Sequence, residues 1–174
     1  MPDFFDITYL AKGSAIQRKG LQAITSLGIL ASLKEFDPVV VGTLPLDLFT
    51  EKSDIDIICC FSNAEEFAEK LFFDLDAASL NFHIHRKPLD GIDSLIANFE
   101  YEDFQFEIVA QKIPVKEQLA FRHMVAEWKI LSEKDSGFKQ KVIALKNRGI
   151  KTEPAFAQIL GLTGDPYQEL LRFS

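Results

Sequence analysis

The 174-residue chain carries 19 basic and 26 acidic residues, a formal charge of −7 at pH 7. That balance excludes the broad basic surface on which non-specific binding to long nucleic acid depends, while leaving room for a small local phosphate site. Hydrophobic residues make up 47% of the chain and sixteen are phenylalanine, ample for a core, yet no apolar run reaches the roughly 18 to 20 residues that cross a bilayer. The length fits one domain, or a domain with an appendage. The opening stretch MPDFFDITYL lacks the basic start and apolar run of a signal peptide. The only cysteines, Cys59 and Cys60, are adjacent in an apolar stretch. Together these features predict a reduced, cytoplasmic protein with no disulfide framework.

Residues 1–13 read as an ordered lead-in, with Phe4, Phe5, Ile7, Tyr9 and Leu10 available for docking. Ser14 is placed to cap a helix that runs to about Ser26, with Ala15, Ile16, Ala23 and Ile24 on its core stripe and Gln17, Arg18 and Lys19 on its polar side. Gly28 bends the chain into a second helical piece, Ile29 to about Glu35, and Asp37-Pro38 stops it. Val39–Val41 is a short buried strand ending in Gly42-Thr43. A loop follows, and a second strand through Cys60 carries Asp54 and Asp56 at its start.

Ser62 and Glu65 have the spacing of a capping box, and the helix they open carries Phe67, Leu71, Phe72 and Leu75 on one face. A third strand, about Asn81–Arg86, alternates Phe82 and Ile84 with His83 and His85, before a turn at Pro88, Asp90 and Gly91. Two more strands, Ser94–Tyr101 and Phe104–Gln111, are separated by Glu102 and Asp103, which is hairpin spacing. After Pro114 the pattern is helical throughout. One helix runs from about Lys116 to Ser132 with Phe121, Met124, Trp128 and Leu131 on one face. Another runs from Gly137 to about Arg148 with Phe138, Val142 and Leu145 inward. A third is capped by Thr152 and ends near Gly161, and Asp165-Pro166 starts a last short one. The expected architecture is α+β, with about five strands and flanking helices over residues 1–114 and a helical region, 115–174, packed on them.

Side chains two apart on a strand share a face, so Asp54 and Asp56 project together while Ile55 and Ile57 point into a core. Like charges held side by side either keep a sheet edge solvated or hold a divalent cation, because carboxylate oxygens are the natural ligands of Mg²⁺. Gly42 lets a phosphate approach the backbone closely, and the Thr43 hydroxyl can donate to a phosphate oxygen. Lys52 beside the Asp-x-Asp loop, Arg122 and His123 early in the long helix, and Arg86-Lys87 at a strand end are candidate phosphate contacts, each with solvated or capping charge as the ordinary alternative. His83 and His85 share a strand face at a ligand spacing but lack an evident third ligand, so a solvated face is expected. No GxxxxGK, GxSxG, HExxH or CxxC is present, which removes the usual NTPase, hydrolase, zincin and zinc-ribbon readings.

The order strand, Gly42-Thr43, loop, Asp54-Ile55-Asp56 resembles the signature of the DNA polymerase β-like nucleotidyltransferase superfamily, with Thr in place of the commoner Ser. That resemblance implies a third carboxylate on a later strand. Glu107, in Gln105-Phe106-Glu107-Ile108-Val109, is the best match, and Glu100 is the fallback. Over nearly the whole length, VGTLPLDL…SDIDIICCF, FEIVAQKIPVKEQLAFRHM and GIKTEPAFAQILGLTGDPYQELL are similar to the DUF4269 family, which is grouped with that superfamily. The resemblance implies a nucleotidyltransferase-like mixed sheet. It also implies Asp54, Asp56 and Glu107 as catalytic ligands of Mg²⁺ or Mn²⁺, and Gly42, Thr43, Lys52, Arg122 and His123 as substrate contacts. The expected reaction moves NMP from an NTP to a hydroxyl of a small molecule or protein. A catalytically inactive nucleotide-binding or protein-interaction module is the alternative, and an RNA-modifying transferase is disfavoured by the net charge.

Overall fold

A computed structural model describes residues 2–75 and 79–174. Residues 1 and 76–78, which fall within the lead-in and the expected 1–114 unit, lie outside the described residues. After a 3-10 segment at Ile7–Lys12, Ser14 caps α1 (Ala15–Leu27), and Ser14 and Gln17 form a reciprocal capping box. Gly28, at φ +69°, ends α1 in the left-handed conformation and starts α2 (Ile29–Ser32). The second helical piece is therefore shorter than the sequence suggests, and a 3-10 turn, Lys34–Phe36, completes it.

The sheet has five strands: β1 (Val39–Val41), β2 (Ile55–Cys60), β3 (Leu80–Arg86), β4 (Ser94–Tyr101) and β5 (Phe104–Gln111). Their order is β1-β2-β5-β4-β3, with β2 and β5 parallel and the other pairs antiparallel. The five strands and α+β class are those that the residue pattern predicts, the mixed pairing is what the resemblance implies, and the bounds of β4 and β5 coincide with the predicted ones.

Period-2 alternation divides the strand residues between two cores. Val40, Ile55, Ile57, Phe106 and Ile108 face one side, where they pack with Ala23 and Ile24 of α1, Ile29 of α2, and Phe67 and Leu71 of α3 (Ala64–Leu75). Val39, Val41 and Ile58 face the other. There they meet Met124 and Ile130 of α4 (Leu119–Glu133), Phe138 and Val142 of α5 (Ser136–Asn147), and Phe156 of α6 (Thr152–Leu160). Leu170, from α7 (Pro166–Leu170), closes this second core, and Asp165 caps α7 as expected. No described helix is long and apolar enough to cross a membrane.

Several local expectations are corrected. Gln17 is buried and Ala15 exposed, because the Gln17 amide donates to the carbonyls of Leu44 and Pro45 at 3.0 and 3.2 Å, so a polar residue there is satisfied inside. Asn63, not Ser62, caps α3, since its Oδ1 accepts from the backbone N–H groups of Glu65 and Glu66 at 3.0 and 3.4 Å. Phe72 is 56% exposed and packs edge-on against Phe82 of β3 rather than joining the stripe of Phe67 and Leu71. The helix expected from Lys116 begins with a 3-10 turn, Val115–Glu117. Gln118 then breaks it, because its backbone is extended and its amide bonds the carbonyls of Cys59 and Ile113. Thr152 is the first residue of α6 rather than its cap, and its hydroxyl instead accepts from Lys146 Nζ at 2.9 Å.

Candidate active site

In the parallel pairing of β2 with β5, Asp56 lies directly opposite Glu107. In-register partners share a face, so both carboxylates point toward α4, α5 and α6. Asp54 lies immediately before β2, two residues from Asp56 and on the same side. On the other flank of β5, Asn98 of β4 pairs with Glu107 and donates its Nδ2–H to Oε2 at 3.1 Å, which orients that carboxylate.

Gly42 directly follows β1, whose last residue, Val41, pairs with Asp56. It holds φ at +72°, and a Cβ built there would fall 2.3 Å from Asp56 Oδ2. Both facts require glycine, and they explain why a carboxylate can lie against the backbone at this point. Thr43 is buried and its Oγ1 has no hydrogen-bond partner. Such an orphaned buried hydroxyl is uncommon in a folded protein, and here it shares a cavity with the three carboxylates.

Gly42, Thr43, Asp54, Asp56 and Glu107 line one cavity of about 410 Å³. Burial pushes the Asp56 carboxyl up to about 8; the charges of Glu107 and Asp54 add to this, Lys146 opposes it, and Glu153 adds slightly. Asp54 is raised as well, by burial and then by Glu107.

The opposite wall of the cavity comes from the helices, and of its acidic and basic groups the sequence singled out only His123. It brings in His123 and Glu127 of α4, Lys146 of α5 and Glu153 of α6. Burial lowers the Lys146 ammonium, against the pull of Glu127, Glu153 and Asp56. Burial, and then the charge of Glu153, hold Glu127 well above the usual carboxylate range. Burial raises Glu153 too, but the hydrogen bond from His123, a backbone bond and the charges of His123 and Lys151 outweigh it and leave it lowered.

The His123 ring contacts Glu153 Oε1 through Nδ1 at 3.3 Å and the Tyr167 carbonyl through Nε2 at 3.1 Å. A carbonyl oxygen only accepts, so Nε2 is the donor in the Tyr167 contact. A signal that could have revealed the rest of this wall is Glu127, an acid set among the buried Met124, Ala126 and Ile130 of an otherwise apolar stripe.

Of the other predicted contacts, Lys52 lines the cavity and His123 lines it with its ring nitrogens already engaged. Arg122 lines a different depression, with Lys116, Glu117 and Phe121, so the structure does not bring it to the carboxylates. Arg86 bonds Asp93 and Glu65, and neither it nor Lys87 reaches the cavity. Glu100 pairs with Gln105 and accepts from Asn81 at 2.8 Å outside the cavity, so Glu107 is the third carboxylate that the fold brings to Asp54 and Asp56. His83 and His85 stack at 6.1 Å on the exposed face of β3, the solvated arrangement expected. Among the described residues no three of His, Cys, Asp or Glu already stand as a metal-ligand cluster.

The sheet order, with an acidic parallel pair at its centre and a Gly-Thr turn against it, defines a nucleotidyltransferase-like fold, and solved structures agree. The Cid1 poly(U) polymerase with MgGTP bound superposes with a TM-score of 0.52 at 18% identity, over 74% of this chain and 41% of that one. A cytoplasmic RNA terminal U-transferase gives 0.54 at 15% identity, over 94% and 50%. The GLD-2/RNP-8 complex gives 0.55 at 16% identity, over 83% and 56%. The chain thus spans about half the length of these neighbours, and at such identity the likeness establishes the fold. Residues 22–173 match the family described as a domain of unknown function, DUF4269, and the chain belongs to that family. No curated protein matches it.

Proposed function

We propose that the chain is a divalent-metal-dependent nucleotidyltransferase that moves NMP from an NTP to a hydroxyl of a small molecule or protein. The observation that carries this reading is the in-register pairing of Asp56 with Glu107, in the same cavity as Asp54, Gly42 and Thr43. The donor set suits Mg²⁺ or Mn²⁺: three carboxylates, two of them raised by burial and mutual repulsion, are relieved by a cation and offer only oxygen. Asp54, Asp56 and Glu107 would hold the metal, which when bound neutralises phosphate charge and activates an oxygen nucleophile.

The remaining roles belong to the chain itself. The Gly42 backbone admits a phosphate, Thr43 Oγ1 donates to one of its oxygens, and Lys52, Lys146 and Lys151 supply positive charge to the rest of the triphosphate. The acceptor oxygen bonds to the α-phosphorus as the bond to the bridging oxygen breaks, and pyrophosphate leaves. The acceptor's proton passes to a carboxylate oxygen, for which Asp54, outside the strand, is the best placed. The chain's net charge of −7 favours a compact acceptor over a long RNA, although the neighbours in fold include an RNA terminal U-transferase.

A ligand at about 100 times its Kd adds about 2.7 kcal/mol, which raises the Tm of a protein this size by roughly 5–10 °C. Mg²⁺ with an NTP is expected to produce such a shift, and the paired change Asp54→Asn with Asp56→Asn to abolish it. Release of labelled pyrophosphate from a γ-labelled NTP separates transfer from binding alone. A native protein that shows neither the shift nor pyrophosphate would end this reading.

A further inference from the structure

The cavity that holds the sheet carboxylates also holds Glu127 of α4. Glu127 is 3% exposed and its Oε1 has no hydrogen-bond partner. Buried acceptors in folded proteins are matched by donors with few exceptions, and an exception in a ligand cavity points to a donor on the ligand. Lys146 does not fill that role, because its Nζ bonds Thr152 Oγ1 and makes no hydrogen bond to Glu127 Oε1.

Which part of a nucleotide can supply the donor follows from its chemistry. Triphosphate oxygens accept hydrogen bonds and have none to donate, so they are matched to the lysines and the metal. The nucleoside offers N–H groups on its base and O–H groups on its ribose. The acceptor molecule has other space open to it, since a second cavity of about 820 Å³ shares only Lys52 and Ser53 with the first. We infer that Glu127 is the nucleotide-selecting residue, accepting a hydrogen bond from a donor on the nucleoside. This inference rests on the cavity being the nucleotide site proposed above.

The test is a set of calorimetric Kd values with Mg²⁺ for ATP, GTP, CTP and UTP. Their 2′-deoxy counterparts are added, with ITP and purine riboside triphosphate as analogues of GTP and ATP that lack the exocyclic amine. In the native protein, loss of the donor that Glu127 reads is expected to weaken binding about tenfold or more. The deoxy series identifies a ribose donor and the deaminated analogues a base donor. E127L is expected to bring the donor-bearing nucleotide down to the level of its analogue while leaving the analogue within about twofold, and E127Q, which keeps a carbonyl oxygen, to restore part of the difference. Glu127→Met provides the same comparison if E127L does not fold. Native discrimination that survives in E127L overturns the inference, as does a native protein that binds all these nucleotides alike. A native protein that binds none of them overturns the nucleotide-site reading itself, and this inference with it.

Discussion

Asp56 is the residue at which stability and proposed function oppose each other. Its carboxyl is pushed up to about 8 by burial and by the charges of Glu107 and Asp54, so the folded state holds its proton more tightly than the unfolded chain. The stabilising contribution is therefore complete below pH about 4 and is lost as the pH rises through about 8. Each pH unit climbed between those limits costs about 1.4 kcal/mol, so the whole loss is on the order of 5 kcal/mol. Asp56→Asn, neutral at every pH, is expected to flatten the fall in Tm between pH 5 and 8.5 and to be more stable than the native chain at the upper end, without added metal. Equal falls in both proteins would show that Asp56 is not the group responsible. At this scale the sequence was most informative on the sheet: Asp54 and Asp56 could be paired because a period-2 strand fixes which side chains share a face, while Gly42-Thr43 and Glu107 took their place in the set from the resemblance to a nucleotidyltransferase signature. Glu127, Lys146 and Glu153 could not, because they come from three helices whose meeting is a tertiary event. Arg122 and His123 adjoin in sequence, but a helix turns them about 100° apart, and only His123 reaches the cavity.

Among the elements, α1 acts on the site without contributing to the carboxylate set. Its first turns press against the loop after Gly42-Thr43. Gln17 bonds the Leu44 and Pro45 carbonyls, and a Cβ added at Gly20 would lie 2.7 Å from Leu44 Cδ2. Ser14 bonds Asp47, which also accepts from Lys139 of α5 at 2.6 Å, so the same loop is tied from two sides. Gln17→Leu removes both carbonyl bonds and leaves the Pro45 carbonyl without its donor, while the Leu44 carbonyl keeps the Asp47 backbone N–H, for a loss of about 1–3 kcal/mol in urea unfolding. It is also expected to weaken Mg-NTP binding, while Lys19→Ala on the exposed side changes neither. Full retention of nucleotide affinity in Gln17→Leu would separate the helix from the site. Element boundaries followed their local signals with uneven success. β4 and β5 were legible because alternation and a two-residue turn leave one register open. The starts of α3, α4 and α6 shifted because Asn63, Gln118 and Thr152 each found a partner that spacing alone does not show.

The whole molecule is a sheet with a separate core on each face, and the division expected at residues 114 and 115 runs through the second of them. Val39, Val41 and Ile58 from the sheet share that core with Met124, Val142, Phe156 and Leu170 from the helices. Residues 115–174 alone would expose this apolar floor, so that fragment is expected to melt without a cooperative transition and without the near-ultraviolet signal of a packed Trp128. A sharp transition in the isolated fragment would make it an independent domain. The pairing of Asp56 with Glu107 also bears on how such a site endures. Their spacing is set by two adjacent hydrogen-bonded backbones, about 4.8 Å apart in any sheet, rather than by the shapes of neighbouring side chains. Substitutions throughout either core can therefore accumulate, changing how firmly the molecule holds together, while the ruler that separates these two carboxylates stays the same length. A scaffold measured out by its own peptide bonds keeps that spacing whatever side chains fill the two cores.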